Sequence, residues 1–246
     1  MTWFLFILGA IIAGFVQGLT GFAFALIAMS FWVWILTPQL AAPLVVFASL
    51  WSHIISISKE QKHEMSFSIV MPYIIAGIIG VPLGIYLLNI INADIFKIVL
   101  GMFLVIWCPV MYFAPTLPHI QKMGRAADSS IGFIGGILGG LGGFCGAIPS
   151  AWVMLKNLPK QQQRYILRHF NFAIQLFTIA GYIWHDSLNS AHIPYILVLM
   201  LCVTLPSILG AKFFYMISEK QFKHIVLSLL FASGFFLLSI TLVKLL

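Results

Sequence analysis

The chain reads Gly14-Phe15-Val16-Gln17-Gly18-Leu19-Thr20-Gly21-Phe22 in its first half and Gly139-Gly140-Leu141-Gly142-Gly143-Phe144-Cys145-Gly146-Ala147-Ile148-Pro149 in its second. Each glycine in a helix interior costs about 1 kcal/mol relative to alanine. Pro149 also removes a backbone donor and clashes with the preceding helical turn. Both stretches therefore predict a break within an otherwise helical segment.

The composition surrounding these stretches is that of a membrane protein. Of 246 residues, 61% are apolar and only 8% are charged, whereas a soluble domain carries roughly a quarter charged residues. Eight apolar segments have lengths near the roughly 20 residues that a spanning helix needs. The predicted segments are 3–36, 40–58, 69–91, 95–113, 131–155, 166–184, 193–216 and 222–245. We therefore predict an all-α polytopic membrane protein, with residues 1–246 forming a single transmembrane domain.

The two halves of the chain resemble each other at an offset of 122 positions. Gly14, Gly18, Leu19, Gly21, Phe22 and Ala25 recur as Gly136, Gly140, Leu141, Gly143, Phe144 and Ala147. The pattern predicts a first repeat in residues 1–114, a cytoplasmic linker in 115–130 and a second repeat in 131–246. Duplicated halves are typical of secondary transporters, which bind substrate near the midplane where the halves meet.

The basic residues indicate how the segments cross the membrane. If all eight segments span, the thirteen Lys and Arg residues divide 8 to 5 between the two sides. If segments one and five instead enter, break and return, only Lys97 and Lys244 lie opposite the other eleven. The second arrangement obeys the positive-inside rule better. It places both termini outside the cytoplasm and inverts the second half relative to the first.

The predicted breaks also suggest a binding site. A broken helix at membrane depth is tolerated where it lies inside protein or lines a cavity, and it exposes backbone N–H groups with a partial positive charge. Two such ends that meet would bind an anion without a fixed cation. We therefore expect Thr20, Gly21, Gly143, Cys145 and Gly146 to line one substrate site. The alternative is that these glycines only allow close helix packing.

Further polar residues are candidates for the same site. Ser49 and Asn171 occupy equivalent repeat positions, as do His53 and Gln175, and the remaining candidates are Gln17, Ser150 and, at a cytoplasmic mouth, Arg164. The simpler explanation for each of these residues is hydrogen bonding between packed helices or, for Arg164, membrane topology. All six acidic residues fall in loops or at segment ends, which disfavours a cation substrate. No buried cation is evident either.

Other classes of function find little support in the sequence. It contains no GxSxG, HExxH or P-loop motif, and Cys145 has no neighbouring base that would make it a nucleophile. We predict no enzymatic activity, no metal site and no cofactor. The net charge of +7 is explained by basic loops beside apolar spans, so nucleic acid is not an expected partner.

The glycine stretches, together with Gly135-Gly136-Ile137-Leu138-Gly139-Gly140 and Gly146-Ala147-Ile148-Pro149-Ser150-Ala151-Trp152, resemble the TauE/SafE sulfite exporter family. Arg164, Asn171, Gly210-Ala211-Lys212 and Phe222 also match family positions, whereas Phe24 and Ala147 depart from the pattern. The resemblance covers nearly the whole chain. It implies a multi-pass transporter of the inner cell membrane that moves sulfite, sulfoacetate or related organosulfur or organic acids.

The leading hypothesis is thus a secondary transporter, acting as an exporter, for a small anion. An anion channel and a non-transporting membrane scaffold or sensor are the alternatives. The expected partners are the anion and the lipid bilayer, and assembly into a homo-oligomer is left open.

Overall fold

The computed structural model describes residues 2–57, 66–113, 124–156 and 158–213, with short helical stretches between 227 and 243. Within these residues every regular element is helical. The helices are α1 (Thr2–Thr20), α2 (Phe24–Trp32), α3 (Pro38–Ile57), α4 (Met71–Ile90), α5 (Ala93–Phe113), α6 (Arg125–Gly142), α7 (Ala147–Leu155), α8 (Lys160–Trp184) and α9 (Ile193–Phe213). Short 3-10 turns at Phe67–Ile69 and Ser190–His192 precede α4 and α9. The predicted all-α class is confirmed.

Both glycine-rich segments break where the sequence predicts. α1 ends at Thr20 and α6 ends at Gly142, and each is followed by a glycine with positive φ, 81° at Gly21 and 79° at Gly143. L side chains rarely adopt this left-handed conformation, so glycine is the residue that ends the helix here. The N–H of Gly21 donates to the Gln17 carbonyl at 2.7 Å, and that of Gly143 donates to the Gly139 carbonyl at 2.8 Å.

After each break the chain turns back along the helix it has just left. The indole N–H of Trp32, at the end of α2, donates to the carbonyl of Phe6 near the start of α1 at 3.1 Å, and the two rings stack at 4.6 Å. The Lys156 ammonium, which follows α7, lies 2.7 Å from the Asp128 carboxylate in the first turn of α6. Both broken segments are therefore helical hairpins whose two outer ends lie together.

The hairpins pack against helices from the other half of the chain. Tyr73 contacts Asp128 near the starts of α4 and α6, and Gly84 lies against Ile137 further along both helices, so α4 and α6 run parallel. A Cβ at Gly84 would overlap the Ile137 carbonyl oxygen. This close approach is the role that small residues play between membrane helices.

The first hairpin makes the corresponding contacts with α9. Trp3 stacks on Tyr195 near the starts of α1 and α9, and Gly18 lies against the Ser207 carbonyl further along. These two helices are therefore parallel as well. A Cβ at Gly18 would overlap that carbonyl oxygen, so glycine is required for the observed separation.

Five described helices are long and apolar enough to cross a membrane: Trp3–Thr20, Pro38–Ile55, Met71–Ile90, Ala93–Phe113 and Ile193–Phe213. They correspond to the second, third, fourth and seventh predicted segments and to the part of the first that precedes its break. Many of their large apolar side chains are exposed, as expected for surfaces that face lipid. The chain is therefore a multi-pass membrane protein. The eighth predicted segment lies largely outside the described residues.

Two segment boundaries were predicted too late in the chain. α6 begins at Arg125 and α8 at Lys160, ahead of the predicted starts at Ile131 and Ile166. The first error has a clear cause, because Asp128 is buried and its carboxylate is bonded by other helices. Residues 125–130 of the predicted linker are therefore helical.

Candidate functional site

The two breaks meet at a cluster of buried polar side chains contributed by α1, α3, α8 and the turn between α6 and α7. Its members are Gln17, Ser49, His53, Cys145, Asn171 and Gln175, and all six are buried. Each is a residue that the sequence selects as a candidate for the substrate site. None of the six has a carboxyl group.

Gln17 connects the first break to α3. Its amide nitrogen lies 3.1 Å from Ser49 Oγ and 2.8 Å from His53 Nε2, and its Oε1 accepts the N–H of Phe24 at 2.9 Å. The Phe24 bond fixes which end of the Gln17 amide is the oxygen. Gln17 therefore donates one N–H to Ser49 and the other to His53, which makes His53 a neutral ring with its proton on Nδ1. The same carbonyl satisfies the first amide of α2.

One face of α8 completes the cluster. Asn171 Nδ2 donates to the Gly21 carbonyl at 3.3 Å, and Gln175 Nε2 donates to Ser49 Oγ at 2.7 Å. Gln175 Nε2 also lies 3.7 Å from Cys145 Sγ. Gln39, at the start of α3, donates to the Leu88 carbonyl at the end of α4, and Gly181, late on α8, lies against Ile85 near that same end of α4. Ser49, later on α3, pairs with Gln175, which is earlier on α8, so α8 runs antiparallel to α3.

The immediate surroundings of the two breaks differ. Gly21 is buried, yet a Cβ built on it would meet nothing within 4 Å, so the first break borders unfilled space. A Cβ at Gly146 would lie 2.6 Å from Phe22 Cβ and 2.6 Å from Asn171 Nδ2. Phe22 and Asn171 are thus in contact with the second break, and Asn171 also bonds to the Gly21 carbonyl of the first break.

Four other predicted site residues do not belong to this cluster of buried side chains: Gly143, Thr20, Ser150 and Arg164. Gly143 is packed against α3, where a Cβ would lie 3.0 Å from Val45 Cγ1 and 3.2 Å from Val46 Cγ2. The Thr20 hydroxyl donates to the Val16 carbonyl at 2.9 Å and accepts the Phe22 N–H at 3.4 Å. It therefore shapes the break itself.

The remaining two lie on the second half of the chain. Ser150 Oγ donates to the Ala147 carbonyl within its own helix at 2.6 Å. Arg164 is half-buried on α8, one turn before Arg168. Ser150 bonds within its own helix and Arg164 is only half-buried. A role of either residue in substrate binding therefore stays a prediction.

Arg168 is a buried cation, which the sequence analysis did not anticipate. Its side chain is 3% exposed. The expectation that the chain has no buried cation was therefore wrong. Arg168 precedes Asn171 by three positions and Gln175 by seven, so helical spacing alone places all three on one face of α8. The charge count of the sequence analysis includes it only among the eleven basic residues that share one side of the membrane.

A second buried polar cluster closes the far end of the α6–α7 hairpin. The Asp128 carboxylate accepts from Lys156 Nζ at 2.7 and 2.8 Å, from Trp152 Nε1 at 2.7 Å and from the Tyr73 hydroxyl. Asp128 does lie at a segment end, as predicted, but its burial was not foreseen. Its bonds join α4, α6 and α7, and they hold the hairpin that positions Gly146 at the break.

Comparison with known proteins gives one family. The family model described as Sulfite exporter TauE/SafE matches residues 6–237. Neither the comparison with curated proteins nor that with solved structures gives a match. The family match spans α1 to α9, both helix breaks and the polar cluster between them, and covers nearly the entire sequence. The chain therefore belongs to the sulfite exporter TauE/SafE family.

Proposed function

We propose that this protein is a secondary transporter that exports a small anion, such as sulfite, sulfoacetate or a related organosulfur or organic acid. The observation that carries the proposal is the buried polar cluster at which the two broken helices meet, with unfilled space beside Gly21. Membership of the sulfite exporter family supports an anionic substrate. The substrate would bind within this cluster at the level of the breaks.

The chemistry of the cluster favours an anion over a cation. Arg168 supplies a buried positive charge on the same face of α8 as Asn171 and Gln175. The N-terminus of α7 begins beside Asn171 and has no side-chain cap, so the dipole of this helix favours negative charge there. Ser49 accepts two N–H groups, which leaves its own hydroxyl hydrogen available to a ligand.

The proposal includes two inverted repeats related by a pseudo-two-fold axis near α3 and α8. Helix boundaries support it: α3 begins at Pro38 and α8 at Lys160, α4 begins at Met71 and α9 at Ile193, each pair 122 positions apart. The packing supports it too, because α1 pairs with α9 as α6 pairs with α4, and α3 and α8 run antiparallel. Such reciprocal contacts are the mark of a two-fold axis.

The hairpin form of both broken segments supports the re-entrant arrangement. Because α2 returns to the start of α1 and α7 to the start of α6, each pair enters and leaves on one side. The chain would then expose its basic loops to the cytoplasm and both termini to the outside of the inner membrane. Rocking of one repeat against the other about the α3–α8 contact would open the cluster to each side in turn.

Ligand-dependent thermal stability tests the proposal. Purified protein in detergent is screened against sulfite, sulfoacetate, taurine, thiosulfate and short carboxylates, with chloride as the ionic-strength control. We expect at least one anion to raise the melting temperature in a saturable manner, since a ligand that binds only the folded state stabilises it. A melting temperature unchanged by every anion would contradict the proposal and favour a scaffold or sensor.

A further inference from the structure

Two buried amide oxygens in the break cluster have no hydrogen-bond donor among the described residues: Asn171 Oδ1 and Gln175 Oε1. Asn171 is 0% exposed and Gln175 is 2% exposed. They are four positions apart on α8, so both lie on the face that contacts the breaks. Buried side-chain acceptors are nearly always paired, which makes two such oxygens beside a helix break an observation that points to a ligand.

The orientation of the Asn171 amide follows from its chemistry. Its Nδ2 donates to the Gly21 carbonyl at 3.3 Å. Turning the amide over would set Oδ1 against that carbonyl oxygen, and two acceptors would then face each other. Asn171 therefore keeps its oxygen directed away from the Gly21 carbonyl, beside Gly146, where a Cβ would lie 2.9 Å from it.

Gln175 is less restricted. Its Nε2 donates to Ser49 Oγ at 2.7 Å, but the turned amide would accept from the Ser49 hydroxyl instead. Gln175 can thus present either an oxygen or an N–H to a ligand, whereas Asn171 presents an oxygen only. The fixed requirement of the cluster is therefore one hydrogen-bond donor, supplied to Asn171 Oδ1.

A ligand must meet this requirement and also carry negative charge. A buried acceptor without a donor is costly, and a fully deprotonated oxyanion would bring a further acceptor against it. Arg168 lies on the same face of α8 as Asn171, and the N-terminus of α7 begins beside Asn171, so both favour negative charge in the cluster. A ligand that is anionic at one end and carries an O–H or N–H at the other satisfies both demands.

We propose that the break cluster selects anions that carry their own hydrogen-bond donor on an arm away from the charged group, such as a hydroxy-substituted sulfonate, over anions without one. The inference rests on the proposed function, because it names the class of substrate for the same site. Sites that hydrogen-bond a substrate hydroxyl reject analogues that lack it.

A matched pair of ligands tests the inference on the purified full chain in detergent. 2-Hydroxyethanesulfonate and ethanesulfonate have the same charge and differ by one hydroxyl, and sulfite serves as the reference ligand. We expect the hydroxy compound to bind the wild-type protein about tenfold more tightly, the factor that one hydrogen bond supplies. Asn171→Leu keeps the branched shape of the side chain without its acceptor, so it is expected to reduce the preference for the hydroxy compound to about one.

The outcomes separate this inference from the function on which it rests. Equal binding of the two sulfonates, or tighter binding of ethanesulfonate, would overturn the inference and leave an anion transporter standing. Binding of sulfite but of neither sulfonate would also overturn it, since the site would then have no place for the donor-bearing arm. Failure of these three and of every other anion in the thermal-stability screen to bind would overturn the proposed function and the inference together. The wild-type comparison decides between these results even if Asn171→Leu does not fold.

Discussion

Gly21→Ala and Gly143→Ala form a matched pair of substitutions that separates the substrate site from helix packing. Both glycines have φ near 80°, so alanine pays the same left-handed backbone cost of roughly 1–2 kcal/mol at each. The methyl groups meet different surroundings. At Gly21 nothing lies within 4 Å, whereas at Gly143 the methyl would lie 3.0 Å from Val45 Cγ1 and 3.2 Å from Val46 Cγ2.

The difference in stability follows from these contacts. Overpacking a filled site costs about 1–3 kcal/mol, so Gly143→Ala is expected to be less stable than Gly21→Ala by about 2 kcal/mol. Melting temperatures of the two variants in the same detergent measure the order. Equal destabilisation would show that the space beside Gly21 is not open in the folded protein.

The effect on function should have the opposite order. The Gly21 methyl would occupy the space proposed for the anion, so affinity and flux per folded molecule should fall about tenfold or more, the equivalent of about 1.4 kcal/mol of overlap. Gly143→Ala should bind the anion with wild-type affinity, provided that the variant folds, because its methyl group lies against α3. A folded Gly21→Ala protein with unchanged affinity and flux would refute the placement of the site.

Three further predictions concern the scaffold. Asp128→Asn and Lys156→Met each leave one charge of a largely buried ion pair without its partner. Each should therefore lower the free energy of unfolding by about 3 kcal/mol. In a double-mutant cycle the two losses should not be additive. Gly84→Ala places a methyl group against the α6 backbone, so it should lower the melting temperature by several degrees or prevent folding. Gly124→Ala is the control: its methyl group would meet nothing within 4 Å, so the melting temperature should hardly change. On a background without the native cysteines, a cysteine at Thr37 should react with an impermeant reagent from outside and one at Gly124 should not; labelling of both from outside would contradict the hairpin topology.

The helix breaks could be predicted from sequence because their cause is local. Gly21 and Gly143 adopt positive φ because they are glycines. The high number of glycines around each of them in the sequence indicates where the helix breaks. The members of the polar cluster could also be predicted, because Ser49 and Asn171 occupy equivalent repeat positions, as do His53 and Gln175. The sequence does not show which of these side chains contact each other. In the structure Gln175 donates to Ser49, although the repeat equivalent of Gln175 is His53.

Features that depend on a distant helix were missed. Gly21 and Gly143 look equivalent in sequence, and only the position of Val45 and Val46 on α3 makes one open and the other packed. Arg168 lies near the start of a predicted segment, where a basic residue normally reflects membrane topology. Its burial depends on α3 and α8 lying side by side, which no local pattern specifies.

Sulfite efflux from proteoliposomes is the measurement that tests the central claim most directly. If the anion crosses through the cluster between the breaks, wild-type protein should give efflux that saturates with internal sulfite. Gly146→Val, whose side chain would overlap Asn171 and Phe22, should abolish that efflux while the protein remains monodisperse. Efflux no faster than from empty liposomes, a non-saturating conductance typical of a channel, or full transport by the folded Gly146→Val variant would contradict the account.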